Sequence, residues 1–291
     1  GGGGDEGKDA APEARPTRKG KRSRSSDDDP GPGRAGEALS AMADRVLSAT
    51  ERRAAKAMLA RMLRLDEDAA HIAEFHEVDP RFARSGRGRV MRSATLFEDV
   101  LKTVTSCNVT WPGTVAINQK LCRVFGRKSA SGLHAFPTAA KLARARPAAL
   151  RARCSVGYRD ARMVELAGIW KKAAGKPSMW EAMPDDELFA ALLELPGIGP
   201  YAAANIMQLM GRYARLPLDT ESIRHGRTVL GFTGGPRQVM KRVQAHFEAF
   251  GSHQFRSYWF ELWRHYEAKA GNAWTWERAA SGKTFTAAFA K

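Results

Sequence analysis

Apolar residues recur along most of the chain at spacings of three and four positions, which is the repeat of an amphipathic α-helix. The segment 38–65 follows this pattern with neither Gly nor Pro, and it predicts one long Ala-rich helix. The same spacing predicts further helices over 96–104, 115–125, 138–145, 159–172, 185–193, 200–213, 222–230, 236–250 and 257–270. Strand patterns are almost absent, so we expect an all-α fold with short loops.

The organisation along the chain follows from where this pattern begins. Residues 1–36 are rich in Gly, Asp, Lys and Arg and lack large apolar side chains, so burial cannot offset the entropy of ordering them. We expect a disordered tail over 1–36, a helical extension and entry segment over 37–95, and a helical core over 96–291. The basic cluster from Arg15 to Ser25 is typical of nuclear import, although a DNA-contacting arm or a solubilising tail fits as well. We therefore expect the nucleus, with an organelle as the alternative.

The charge of the chain indicates a polyanionic partner. Its formal net charge is +16, and residues 1–36 contribute only +1 of it, so the surplus belongs to the helical part. A basic folded body favours nucleic acid or anionic lipid. We favour nucleic acid and expect no membrane association, because the sequence has no run of about 18 apolar residues and no lipidation motif.

The three cysteines, Cys107, Cys122 and Cys154, are too few for a disulfide framework. They also lack Cys-x-x-Cys spacing, so neither zinc nor an iron–sulfur cluster is indicated. A reducing, intracellular compartment is the expected setting.

The clearest local motif is a helical hairpin over 185–213. A helix pattern ends in Leu193-Glu194-Leu195-Pro196-Gly197-Ile198-Gly199-Pro200, and a small-residue helix follows. Gly197 and Gly199 permit unusual backbone angles, and Pro200 suits the first position of a helix. Backbone N–H groups in such a turn can bind a DNA phosphate without reading the base. An ordinary Pro-Gly connection between helices is the alternative.

Asp219 follows the hairpin in the stretch Leu216-Pro217-Leu218-Asp219-Thr220, directly before a predicted helix. An Asp at this position is most simply a helix N-cap. It could also face a cleft beside the hairpin, where it would orient water or stabilise a cationic sugar. The sequence leaves both roles open.

Together, the hairpin and Asp219 resemble the helix-hairpin-helix (HhH-GPD) DNA glycosylase superfamily, whose signature is this hairpin followed by a catalytic Asp. The similarity runs from about Arg64 to Arg227 and is nearest to the 8-oxoguanine DNA glycosylase branch. It implies the helix-hairpin-helix glycosylase fold, catalysis by Asp219, and DNA contacts from Gly197, Ile198 and Gly199. It also implies a monovalent cation held by the carbonyls of Leu193, Leu195 and Ile198.

The resemblance gives roles to residues outside the hairpin. Asn108 stands where the branch has an Asn that fills the gap left by an extruded base, and Tyr158 stands where a Tyr wedges into the duplex. Arg159, beside Tyr158, is also expected to bind DNA. Without the resemblance, Asn108 is a polar helix-end residue and Tyr158 a packed aromatic. The aromatic stripe over 255–266 is better explained as core than as a wall for the damaged base.

Several positions depart from the branch. Members that also cleave the strand carry a Lys where this chain has Tyr201, and a phenol cannot form the imine that the Lys forms. Asn205 and Glu221 replace a Cys and a His of the 8-oxoguanine pocket. The four-cysteine cluster of adenine and mismatch-thymine glycosylases is missing, and no sheet domain is evident before Arg64.

The function implied is a monofunctional DNA N-glycosylase of base excision repair, without abasic-site lyase activity, acting as a monomer on double-stranded DNA with a damaged base. Asp219 and Tyr201 are its expected catalytic residues. An 8-oxoguanine-type purine is the favoured substrate, an alkylated purine of the 3-methyladenine type is second, and a non-catalytic DNA-binding protein is the alternative of another class. No redox cofactor or catalytic metal is expected.

Overall fold

The computed structural model describes residues 46–173 and 178–276. Within these ranges the chain is helical and forms no strand, apart from one isolated bridge between Lys128 and His134, so the all-α prediction is confirmed. The tail predicted over 1–36 and the Arg15 to Ser25 cluster lie outside the described residues. No helix in the described ranges has the length and apolar character needed to cross a bilayer.

We number the α-helices of the described residues in chain order. They are α1 (Ala49–Met62), α2 (Ala69–Val78), α3 (Leu96–Ser106), α4 (Trp111–Phe125), α5 (Ala139–Leu142), α6 (Pro147–Cys154), α7 (Asp160–Lys172), α8 (Ser178–Glu181), α9 (Asp185–Leu193), α10 (Pro200–Leu209), α11 (Thr220–Thr228), α12 (Pro236–Glu248) and α13 (Gln254–Ala270). Short 3-10 turns cover Pro80–Ser85, Gly157–Arg159, Gly251–His253 and Ala273–Thr275.

Capping explains where α1 begins and where α4 ends. The helix predicted over 38–65 begins at Ala49 in the described chain, because Ser48 and Glu51 form a capping box there. Gly126 ends α4 as predicted. The helix expected over 138–145 is only the short α5, and α6, which begins at Pro147, was not predicted.

The first of two hydrophobic clusters is built by helices α3 to α10. Its buried residues include Leu101, Leu121, Leu166 and Ile206, and Ile198 of the hairpin turn belongs to it. The hairpin is therefore anchored in this core rather than attached to its surface.

The second cluster joins the beginning and the end of the described chain. Phe75 and Phe82 pack there with residues of α12 and α13. The stripe consists of Phe255, Tyr258, Trp259, Leu262, Trp263 and Tyr266. Four of these six side chains are buried, namely Phe255, Tyr258, Leu262 and Tyr266. Their interpretation as core is confirmed, while Trp259 and Trp263 remain half-buried.

Two sets of buried polar contacts hold these helices in register. The fully buried His225 of α11 lies 2.8 Å from Oε1 of Glu261 on α13, and Arg81 pairs with the same Glu261. Burial would raise the pKa of the Glu261 carboxyl, but the hydrogen bonds from His225 and Arg81 lower it. Buried Arg64 donates to the carbonyls of Gln208 and Leu209 at 3.0 and 2.8 Å, at the end of α10. The helices flanking the hairpin and Asp219 are thus fixed by charged contacts.

Candidate DNA-binding surface and active site

The predicted helical hairpin is present as α9, a turn over 194–199 and α10. Gly197 has φ +81°, in the left-handed region that favours glycine, while Gly199 has φ −105° and precedes Pro200 at the start of α10. Ile198 is 6% exposed and anchors the turn, whereas both glycines are exposed. The N–H groups of Gly197 and Gly199 donate no hydrogen bond to the described part of the chain. The turn therefore presents two available backbone donors on its surface.

The carbonyl groups predicted to hold a cation lie in the same turn. Leu195 accepts a hydrogen bond from Ile198 N at 3.1 Å, which leaves its oxygen one further lone pair. Leu193 is at the exposed end of α9. This donor set fits a monovalent cation in its chemistry, and the site stays a prediction.

Asp219 is the N-cap of α11. Its Oδ1 accepts from Ser222 N at 3.0 Å and from the Ser222 hydroxyl at 3.3 Å, and Asp219 N donates back to that hydroxyl at 3.2 Å. The helix-cap role is thus confirmed. The carboxyl group is half-buried, and burial raises its pKa while the hydrogen bonds from Ser222 oppose that shift. A capping carboxylate that is partly stripped of water is also a candidate for chemistry.

Tyr201 lies next to this carboxylate, in the first turn of α10. Burial, and then the negative charge of Asp219, raise the pKa of Tyr201 to about 12, although side-chain hydrogen bonds with Asn205 and Ser106 partly offset the increase. The phenol therefore stays protonated at neutral pH. The end of α3 and the starts of α10 and α11 meet beside Tyr201. The catalytic role of Tyr201 and Asp219 stays a prediction.

A cavity of about 540 Å³ borders Tyr201 on the side of α9 and α12. It is lined by Phe189, Tyr201, Leu218 and Gln244, among others. Leu218 is the sequence neighbour of Asp219, but Asp219 itself is not part of the lining. This cavity is partly open to solvent and reaches the neighbours of Asp219 rather than Asp219 itself.

The structure brings Asn108 and Tyr158 together across 50 residues of sequence: Asn108 Nδ2 donates to the Tyr158 hydroxyl at 3.3 Å. Asn108 has φ +52° and is exposed directly after α3, and Tyr158 is 55% exposed. The alternative of a packed aromatic at Tyr158 is wrong. These two side chains form an exposed pair that could enter a duplex together.

The placement of Arg159 revises its predicted role. Its side chain is only 6% exposed and donates to the carbonyls of Val156, at 3.1 Å, and Cys107. Its guanidinium carbon also lies 4.4 Å from the centroid of the Tyr158 ring. Arg159 therefore ties the segment before Asn108 to the turn that carries Tyr158, and both terminal nitrogens of its guanidinium donate inside the protein.

Arg162 is a residue that sequence reasoning missed. It is exposed on α7, and its guanidinium carbon lies 5.8 Å from the Tyr158 ring centroid. A Cβ placed on Gly197 would lie 3.3 Å from Arg162 Cδ, so Arg162 lies between the hairpin and the Asn108–Tyr158 pair. The available signal was its position in the first turn of the helix predicted over 159–172, directly after Tyr158.

Glu221 follows Asp219 by two positions and is held by other groups. Arg224 Nε lies 2.9 and 2.8 Å from its two carboxylate oxygens, and the Tyr266 hydroxyl also donates to it. The charge of Glu221 is thus paired within α11.

Comparison with solved structures identifies the fold. The apo form of an 8-oxoguanine glycosylase/lyase from Clostridium acetobutylicum matches with a TM-score of 0.58 at 18% identity, over 75% of this chain and 77% of that one. A 3-methyladenine DNA glycosylase from Archaeoglobus fulgidus matches with a TM-score of 0.55 at 21% identity, over 76% and 77%. A 3-methyladenine DNA glycosylase from Schizosaccharomyces pombe, bound to abasic DNA, matches with a TM-score of 0.51 at 21% identity, over 75% and 99%.

No protein-family model and no curated protein matches the sequence. The structural likeness therefore shows the fold, which is that of helix-hairpin-helix DNA glycosylases. At these identities it shows neither substrate nor reaction.

Proposed function

We propose that the protein is a DNA N-glycosylase that extrudes a damaged base from the duplex and hydrolyses its N-glycosidic bond. The observation that carries this proposal is the position of Asp219, a half-buried carboxylate at the start of α11, beside Tyr201 on the second helix of the hairpin. The solved structures with this fold bear the names of DNA glycosylases, which supports the same reaction.

DNA binding is proposed to begin at the hairpin. The N–H groups of Gly197 and Gly199, which donate to no group in the described ranges, suit a phosphate oxygen, and the net charge of +16 favours approach to the backbone. Asn108 and Tyr158 then occupy the space that the extruded nucleotide leaves. Extrusion costs least for a mispaired or poorly stacked base, which gives a first selection for damage.

The chemistry needs one carboxylate and one water. As the bond between C1′ and the base nitrogen breaks, both electrons leave with the base and positive charge develops on the deoxyribose. Ionised Asp219 stabilises that charge and accepts a proton from the water that attacks C1′. Asp219 then passes this proton to the departing base nitrogen or to solvent and is ionised again, so that the products are the free base and an abasic site with a hydroxyl group on C1′. Because the phenol of Tyr201 cannot form an imine with the sugar, the enzyme is proposed to be monofunctional.

The favoured substrate is an oxidised purine of the 8-oxoguanine type, on the resemblance from Arg64 to Arg227. An alkylated purine is the second candidate, because 3-methyladenine glycosylases match this fold with similar TM-scores. The Asn205 side chain lies beside Tyr201 and donates to its carbonyl at 3.1 Å, where the 8-oxoguanine branch has a Cys. This polar replacement leaves the choice between the two classes to experiment.

We further propose that the protein acts as a monomer in the nucleus, with an organelle as the alternative, and that the carbonyls of Leu193, Leu195 and Ile198 hold a monovalent cation against a DNA phosphate.

Incubation with duplexes that each carry one modified base, followed by alkali, tests the function by revealing abasic sites as strand breaks. We expect release of one purine class. Borohydride added during the reaction should trap no covalent adduct. Binding to every duplex without release from any would favour the non-catalytic DNA-binding protein instead.

A further inference from the structure

We propose that Ser222 and Tyr258 are positioning residues that hold the Asp219 carboxylate ionised and oriented for the reaction. This inference rests on the proposed function for its catalytic meaning. It reaches beyond a helix cap, because the contacts continue from α11 to a buried hydroxyl on α13.

The direction of the hydrogen bonds follows from the donor count of one hydroxyl. Ser222 Oγ lies 3.3 Å from Asp219 Oδ1, accepts from Asp219 N at 3.2 Å, and lies 3.2 Å from the Tyr258 hydroxyl oxygen. A serine hydroxyl has one proton to donate and two lone pairs. When that proton goes to the carboxylate, Tyr258 must donate to Ser222. The chain of donors then runs from Tyr258 through Ser222 to Asp219, and both lone pairs of Ser222 are used.

Burial keeps the hydroxyl groups of Ser222 and Tyr258 hydrogen-bonded within the protein. Ser222 is fully buried and Tyr258 is 4% exposed, so water does not compete for either hydroxyl. Burial also raises the pKa of Tyr258 well above its ordinary value, which keeps its proton in place. The Tyr258 ring meets Phe247 of α12 edge-on at 5.4 Å and His225 of α11 at 5.5 Å. Three helices thus fix the orientation of one donor.

The consequence for Asp219 is that Oδ1 is held by two donors of the same residue, the N–H and the hydroxyl of Ser222. This leaves Oδ2 as the oxygen that faces the sugar or the attacking water. The other ionisable groups near the carboxylate are Tyr201 on α10 and Glu221 on α11. The negative charge of Glu221 disfavours ionisation of Asp219, whereas the N–H and hydroxyl of Ser222, together with the N–H of Glu221, oppose the effect of burial.

We call the chain of donors from Tyr258 through Ser222 to Asp219 the relay. Two conservative variants distinguish this relay from a simple helix cap. Ser222→Ala keeps the backbone N–H that caps α11 and removes only the hydroxyl. Tyr258→Phe keeps the ring and removes only the donor at the far end. Tyr266→Phe is the matched control, since it lies on the same helix but its hydroxyl donates to Glu221.

The first readout is the pKa of Asp219 in the free protein, from the pH titration of its 13C carboxyl resonance. The second readout is the apparent pKa on the acidic side of the pH profile of base release, measured as a single-turnover rate. Loss of the Ser222 hydroxyl removes a donor to the carboxylate and disfavours its charged form, so we expect both values to rise by about one pH unit in Ser222→Ala. Tyr258→Phe leaves that hydroxyl in place and removes only the group that donates to it, so we expect a smaller rise of both values. We expect the control to match the wild type.

Unchanged pKa values in both variants would overturn the relay, even if their rates fell, because a packing defect alone would explain slower release. If the wild type releases no base from any duplex, the proposed function fails, while the titration in the free protein still decides whether Ser222 and Tyr258 hold Asp219. The two inferences can therefore fail separately.

Discussion

The two hairpin glycines permit a paired test, because a methyl group has opposite consequences at the two positions. In Gly197→Ala the new residue must keep φ +81°, which costs an L-residue about 1 to 2 kcal/mol. Its Cβ would also lie 3.3 Å from Arg162 Cδ, a flexible side chain that can yield. A loss of 1 kcal/mol corresponds to a fall in Tm of roughly 2 to 4 °C in a domain of this size.

Gly199→Ala should leave stability intact. Its φ of −105° is open to any residue, and a Cβ there meets no other atom within 4 Å. The substitution restricts the unfolded chain, which stabilises the protein by about 0.4 to 1 kcal/mol. Ala is a poorer N-cap for α10 than Gly, which offsets this gain, so the free energy of unfolding should change little. The methyl group would, however, stand where a phosphate must approach the Gly199 N–H. Losing a hydrogen bond to a charged group costs about 1.5 to 3 kcal/mol, so DNA affinity should fall about tenfold or more.

Urea denaturation of both variants measures the stability effects, and fluorescence anisotropy with an abasic duplex at one fixed salt concentration measures affinity. A Gly199→Ala protein that is stable and binds DNA as tightly as the wild type would refute the contact between the hairpin backbone and the phosphate.

Two further predictions concern stability. Asp219→Asn keeps a good N-cap and removes a buried charge, so it should raise the free energy of unfolding at pH 7. Because the folded-state pKa of Asp219 is raised, that gain should shrink as pH falls through this pKa towards the ordinary aspartate value of 3.8. An equal gain at pH 7 and below pH ~4 would contradict the burial argument. Arg159→Met leaves the carbonyls of Val156 and Cys107 without their donor and should cost about 2 kcal/mol or more. Arg162 is exposed, so Arg162→Met should keep the free energy of unfolding within about 0.5 kcal/mol of the wild type. It should, however, weaken DNA binding. Equal stability of the two Arg variants in urea would refute the structural role of Arg159.

The parts of the fold that sequence could predict are those set by local chemistry. The hairpin over 185–213 was predictable because Gly197, Gly199 and Pro200 specify a turn and a helix start within a few residues. Gly126 marked the end of α4 for the same reason. The packing of Phe75 and Phe82 with α12 and α13 could not be predicted in this way, since it joins segments far apart in the chain.

The site shows the same limit. Asp219 was identified from its position after the hairpin, and Tyr201, Asn108 and Tyr158 were identified from the resemblance. The role of Arg159 was misassigned because burial depends on what packs around a residue, and an arginine beside an exposed tyrosine looks like a DNA contact. The hydroxyl of Tyr258 reaches Ser222 across 36 residues, so no local pattern could indicate it.

The central claim is that the Asp219 carboxylate performs base release, and its most direct test is single-turnover release by Asp219→Asn on a duplex that the wild type cleaves. Asp186→Asn serves as the control, since that carboxylate is 90% exposed on α9. We predict that Asp219→Asn binds the duplex as tightly as the wild type and releases no base, while Asp186→Asn releases base at the wild-type rate. Release by Asp219→Asn at the wild-type rate would contradict the account.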